Sequence, residues 1–212
     1  MKITKFGHAC ILVEVDGVKI LLDPGDWNAL PEMDSLDAIL ITHEHEDHFD
    51  IGQVKELVLT HPAVRIITHQ VVGKILTESG ITHELIESGE SVDVNGVSVE
   101  SCGTEHAVVY GSVPCRNTGF FIAGQLFVPG DALHDVPSKP VRVLALPTGG
   151  PWMKLSEAID YTKLVKPEIV FPIHDAMYIE GYLKFVPAVM AGNLESTGIK
   201  FVDMVTGETK EF

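Results

Sequence analysis

Apolar residues recur along this chain in short runs and at helical spacing by turns, and turn signals mark where one pattern gives way to the next. Thr4–Phe6, Ala9–Val15 and Val18–Leu22 read as strands, the last two joined by Asp16-Gly17, a dipeptide that accepts the positive φ of a tight hairpin turn. Asp37–Thr42 is a further strand. Asp50 then offers an N-cap with Gln53 in the capping-box position, and Ile51, Val54, Leu57 and Val58 follow at helical spacing. Arg65–Thr68 predicts a strand, Gln70–Ser79 a helix stopped by Gly80, and His83–Glu87 another strand.

The second half repeats the scheme. Ser91–Val94 and Val97–Ser101 form a hairpin through Asn95-Gly96, followed by strands at Thr118–Ala123, Leu126–Val128 and Val141–Leu146. A helix at Ser156–Val165 ends before Pro167, and Glu168–Pro172 is a buried strand. The tail, Ala188–Phe212, predicts a short helix and a terminal hairpin around Thr206-Gly207. Strands outnumber helices, and helices occur in both halves. An α/β fold is therefore expected, a four-layer αββα sandwich of two sheets packed face to face with helices outside. The 212 residues fit one hydrophobic core, so residues 1–212 are read as a single domain.

Composition narrows the function. The chain is 45% hydrophobic and 21% charged, and apolar runs such as Ile39–Ile41 and Leu126–Val128 are far too short to span a bilayer. Met1–Phe6 has no long apolar core and reads as a first strand rather than a signal peptide, which points to the cytoplasm. Cys10, Cys102 and Cys115 lack C-x-x-C spacing, against both a disulfide framework and a zinc finger. Cys10, in a strand, is assigned to packing. A net charge of −15 with scattered Lys and Arg opposes nucleic-acid and anionic-membrane partners and leaves a small-molecule substrate, with homo-oligomers open.

The chemistry concentrates in Thr42-His43-Glu44-His45-Glu46-Asp47-His48, at the end of a buried strand. In extended chain, residues two apart point the same way, so His43 and His45 can grip one ion. The turn into the helix then aims Asp47 and His48 at a neighbouring ion, a spacing that suits two metals. Three later residues of ligand type each follow a strand: His106, Asp131 and His174.

In these motifs the chain resembles the metallo-β-lactamase superfamily, whose T-H-x-H-x-D-H pattern is matched by Thr42–His48 and is followed in order by a His, an Asp in a Gly-Asp context (Gly130-Asp131) and a final His. Gly7-His8-Ala9, Asp23-Pro24 and Leu146–Gly150 look most like the small branch that includes ascorbate-phosphate lactonases and N-acyl-phosphatidylethanolamine-hydrolysing phospholipase D enzymes. The resemblance implies that His43, His45 and His106 hold one metal, that Asp47, His48 and His174 hold a second, and that Asp131 bridges them. It also implies that Asp23 braces the metal-binding turn by hydrogen bonds.

The function implied is a metal-dependent hydrolase, in which a metal-activated hydroxide cleaves a small ester, lactone or phosphodiester and Asp47 also handles a proton. Zinc is the first choice of metal, with manganese or iron as alternatives. The competing classes are a metal-binding protein of the same fold without turnover and a di-iron redox protein; the flavodiiron relatives replace the second histidine by Glu and carry a flavodoxin-like domain.

Around the ligands, His8 and Trp152 are expected to face the site or its pocket, with Met153 beside it, and Tyr178 and Asp175 to supply supporting hydrogen bonds. Arg116 is the one cation placed near the pocket, and His134 is divided between a supporting and a loop role. His61, His69 and His83 are read as surface or capping residues. The loops Trp27–Pro31 and Val108–Arg116 should set specificity. Glu44, Glu46 and Glu105 add negative charge nearby, so a small neutral or singly charged substrate is expected and a nuclease is not.

Overall fold

The computed structural model describes residues 1–113 and 115–212; Pro114, within the proposed specificity loop Val108–Arg116, lies outside the described residues. The first half contributes strands β1 (Lys2–Gly7), β2 (Cys10–Val15), β3 (Val18–Leu22), β4 (Ala38–Ile41), β5 (Arg65–Thr68) and β6 (Glu84–Leu85), with helices α1 (Ile51–Thr60) and α2 (Gln70–Glu78). The second half contributes β7 (Ser91–Val94), β8 (Val97–Cys102), β9 (Gly119–Ile122), β10 (Leu126–Val128), β11 (Val143–Pro147), β12 (Ile169–Ile173), β13 (Lys200–Phe201) and β14 (Thr209–Glu211), with α3 (Leu155–Val165) and α4 (Glu180–Leu194).

Two seven-stranded sheets result, ordered β14-β1-β2-β3-β4-β5-β6 and β13-β12-β11-β10-β9-β8-β7. Strand alternation divides the apolar residues into three layers. Leu22, Leu40, Phe120 and Phe171 meet between the sheets. Their neighbours Leu21 and Ile39 face the other way, onto Val54, Leu57, Val72 and Leu76 of α1 and α2. On the far sheet Phe121 and Leu144 likewise turn outward onto Ala158 and Tyr161 of α3 and Val186 and Met190 of α4. This is the expected αββα sandwich.

Local chemistry fixes the entries to the helices. Asp50 caps α1, its side chain accepting the Gln53 N–H at 2.7 Å, as the sequence predicts. His69 caps α2 through Nδ1, which accepts the Val71 N–H at 3.2 Å; the residue is fully buried, so it is a capping residue and not a surface one.

The tail departs from expectation twice. α4 starts at Glu180 and carries Pro187 in its interior, where the missing N–H and the ring ought to end a helix. Burial of Val186, Met190 and Leu194 against the outer face of the second sheet outweighs that local cost. The terminal hairpin does not form: β13 joins β12 in parallel in the second sheet, whereas β14 joins β1 antiparallel in the first. Thr206-Gly207 still turns, with Gly207 at φ +83°, but the Gly207 N–H bonds Lys5 O at 2.7 Å, and buried Met204 enters the layer between the sheets. The inter-sheet core claims Met204, so the tail crosses from one sheet to the other.

Candidate metal centre

The chain leaves β4 into a turn held by the one that follows β3. Asp23, fully buried at φ +47°, accepts the Thr42 N–H on Oδ1 and the Thr42 Oγ1–H on Oδ2, each at 2.8 Å. Asp26 N–H bonds Glu46 O at 2.8 Å, and Asp50 N–H bonds Pro24 O at 3.0 Å. Between them Gly25 lies so close that a Cβ would stand 2.1 Å from the Asp47 carbonyl, which only glycine tolerates. Within the turn, the His48 and Phe49 N–H groups both bond His45 O, which folds Asp47 and His48 back over the strand end.

At this edge the strand ends of both sheets meet. His43, His45 and His106 bring one ring nitrogen each into a single cluster, and His8, Asp47, His48 and His174 form a second. Asp131, after β10, lies where the two meet: its Oδ2 is 3.3 Å from His106 Nε2 and 3.1 Å from His174 Nε2, and its Oδ1 is 3.2 Å from His48 Nε2. Yet none of those three imidazole nitrogens, nor Asp131 Oδ1, has a hydrogen-bond partner, although all are buried. Burying such atoms unpaired is costly, and lone pairs that converge without bonding one another are what a cation requires. His43 Nε2 and His45 Nδ1 face each other at 3.0 Å, again two ring nitrogens aimed at one place. The residues present therefore fit bound metal.

The outer ring nitrogens fix the tautomers. His48 Nδ1 donates to Asp23 Oδ2 at 2.8 Å, His174 Nδ1 to Gly149 O and His106 Nδ1 to Ala107 O, each at 2.5 Å, which leaves Nε2 to point inward as a ligand atom. His43 Nδ1 lies 3.0 Å from Thr42 Oγ1, whose own proton is committed to Asp23, so the imidazole donates here too.

Electrostatics divides the clusters. Burial and the neighbouring His48 push His43 well below the usual histidine range, and burial also lowers His45. Burial would lower His48 and His174 as well, but neighbouring carboxylates together outweigh it, Asp131 with Asp23 at His48 and Asp131 with Asp47 at His174; His48 is raised and His174 stands at about 9. Burial opposes ionisation of Asp131 and Asp47, yet the surrounding histidines hold both carboxyls well below the usual carboxylate range. Negative charge at the centre is thus balanced by positive charge, carried by protons or by metal.

A family model described as beta-lactamase superfamily domain matches residues 2–174. The chain belongs to the metallo-β-lactamase superfamily. Among its relatives, protein Rv0786c of Mycobacterium tuberculosis is 34% identical over 84% of this chain and 85% of its own. A UPF0173 metal-dependent hydrolase of Methanocaldococcus jannaschii is 29% identical over 81% and 83%. The structure of Igni18, a metallo hydrolase of Ignicoccus hospitalis, superposes with a TM-score of 0.77 at 26% identity, covering 100% of this chain and 98% of that one.

With superfamily membership in place, the remaining expected residues divide by position. His8 is fully buried; its Nδ1 accepts the Ala176 N–H at 3.3 Å, so Nε2 carries the proton and donates to Asp47 Oδ2 at 3.0 Å. It orients a carboxylate and is not free to ligate. Trp152 Nε1–H donates to Asp131 Oδ2 at 2.9 Å. Tyr178 Oη–H donates to Thr148 O, beside the Gly149 carbonyl that holds His174. Asp175 reaches away from the centre to Lys5.

Arg116 does not line the cleft; its Nη2 donates to Glu87 at 2.7 Å. His134 is half-exposed and pairs with Asp135 at 3.4 Å. His61 and His83 bond backbone carbonyls of Met33 and Ile81 outside the centre.

Three supporting residues escape sequence reasoning. Asn117 Oδ1 accepts the Asp131 N–H at 3.0 Å while Nδ2 donates to Pro129 O at 2.8 Å, which pins the Gly130-Asp131 turn. Lys5, fully buried, donates from Nζ to Pro172 O, Asp175 Oδ2 and Met204 O and so clamps the backbone around His174, itself at φ +58°. Cys115 Sγ lies 3.7 Å from His45 Nε2. A Lys in an alternating strand and an Asn in a loop carry no signal of these roles.

Proposed function

We propose that the protein is a metal-dependent hydrolase that holds two divalent metal ions per chain and cleaves a small ester, lactone or phosphodiester. The observation that carries this reading is the convergence of buried, unpartnered ligand atoms from both sheets at one strand edge: Nε2 of His48, His106 and His174 with Oδ1 of Asp131. His43, His45 and His106 form one ligand triad and Asp47, His48 and His174 the other, with Asp131 between them. Zinc suits the nitrogen-rich set best, with manganese and iron as alternatives. Bound metal supplies Lewis acidity and a water of lowered pKa.

The chain's own groups do the rest. Net reaction adds water across the acyl–oxygen or phosphorus–oxygen bond and yields an acid and an alcohol. Asp47, held by His8 on one oxygen edge and only partly buried, is the carboxylate placed to take and return a proton. Trp152 and Asn117 fix Asp131 from its side chain and its backbone. A cleft of about 480 Å³ opens over the centre, a size for a small molecule. Among the described residues no helix is long and apolar enough to cross a membrane, and the free thiols of Cys10, Cys102 and Cys115 suit a reducing, cytoplasmic setting.

The test is a screen of esters, lactones and phosphodiesters with the zinc-, manganese- or iron-loaded protein. Asp131→Ala and His45→Ala should each lower turnover at least about a hundredfold with an unchanged far-ultraviolet circular dichroism spectrum. Unchanged turnover in either variant would remove that residue from the centre.

A further inference from the structure

The cleft over the metal centre combines two surfaces whose charge and polarity bear on what can enter it. One is apolar: Trp27, Val109, Pro151, Trp152 and Met177. Trp27 is 50% exposed, packs on buried His8 with ring centroids 4.7 Å apart and planes tilted by 49°, and lines the cleft. Trp152 faces it from the other sheet's loop, its ring 5.9 Å from His106 and 5.8 Å from His174 and its indole N–H already engaged on Asp131.

The other surface is acidic. Glu44, Glu46, Asp47 and Asp131 all line the cleft, and among the described residues no Lys or Arg does. These four carboxylates balance the charge of two divalent cations, and Arg116, which could have offset them, is bound to Glu87 instead. An anion approaching the loaded centre gains no net attraction from the cleft, and at its rim meets exposed Glu46.

We infer that the site selects an uncharged substrate, a carboxylic ester or lactone with an apolar or aromatic group seated between Trp27 and Trp152, and discriminates against phosphodiesters and other anions. This rests on the reading of the cluster as the reaction centre, and it narrows the substrate class proposed there. Flat indole faces give an apolar group contact area at little entropic cost, while the carboxylates act as the repulsive element that specificity needs.

The chain has two tryptophans and both line this cleft, so intrinsic fluorescence reports its occupancy without any turnover. The zinc-loaded protein is titrated with N-methylbenzamide, an uncharged carbonyl probe, and with phenyl phosphate. The amide should bind about tenfold more tightly than the phosphate. Glu46→Gln should shift the ratio of the two affinities about fivefold toward the phosphate. Trp27→Ala should weaken the amide about tenfold at unchanged zinc content, read through Trp152, and Trp27→Phe should restore most of it.

Phenyl phosphate binding as tightly as the amide, a ratio that Glu46→Gln does not move, or no fluorescence response to either probe would each overturn the inference. Failure of the hydrolytic reading would show separately, as no turnover of phenyl acetate by the same preparation.

Discussion

Asp47 and Asp131 place ionised carboxylates among imidazoles at the meeting of two sheets, and something positive must balance them. Without metal the balance comes from protons on His48, raised by Asp131 and Asp23 against the effect of burial, and on His174, which stands at about 9. A bound cation replaces those protons, since an imidazole ligates only through a free lone pair. Because the folded-state pKa is raised, the competing protons are present below about pH 9 and are lost above it, so metal affinity should fall as pH drops through that range. Calorimetry of zinc binding at pH 7 in buffers of different ionisation heat should show release of about one proton or more per chain; an uptake, or none, would contradict the assignment. At this scale the clustering residues were legible because His and Asp are dense in Thr42–His48, whereas Lys5 and Asn117 were not. Their partners are backbone groups brought near only by the fold.

The elements at the centre are turns whose shape depends on one another. The turn after β3 lies against the turn after β4, and at Gly25 their backbones leave no room for a Cβ. Gly25→Ala should cost about 3 kcal/mol in urea unfolding and weaken metal binding together, because the new Cβ must displace the backbone that aims Asp47, a proposed ligand. Loss of neither would mean that the two turns move independently. Alternation and cap residues made most strands and α1 readable in the sequence. The tail was not, because local signals there compete with burial: Pro187 sits inside the helix that Val186, Met190 and Leu194 stabilise, which is expected only from Ala188 onward, and Thr206-Gly207 resembled a hairpin turn although its flanking strands belong to different sheets. The same crossing tail brings Met204 O to Lys5, and so couples the chain's end to the backbone around His174.

For the whole molecule, two sheets each contribute to one edge what neither could hold alone: β4 leads into His43, His45, Asp47 and His48, while the second sheet's loops supply His106, Asp131 and His174. Packing of the layers is therefore what assembles the proposed ligand set, whose depth and supports the order of residues in the sequence did not convey. The molecule's charge of −15 accords with a cleft that is lined by carboxylates and, among the described residues, by no Lys or Arg. Elemental analysis of the folded protein, reconstituted with zinc and freed of loosely bound metal, tests the central claim most directly. Two zinc ions per chain should remain, falling to about one in His45→Ala, which removes a ligand from one triad only. A folded wild-type protein that retains none, or a His45→Ala variant that still retains two, would contradict the two-metal account.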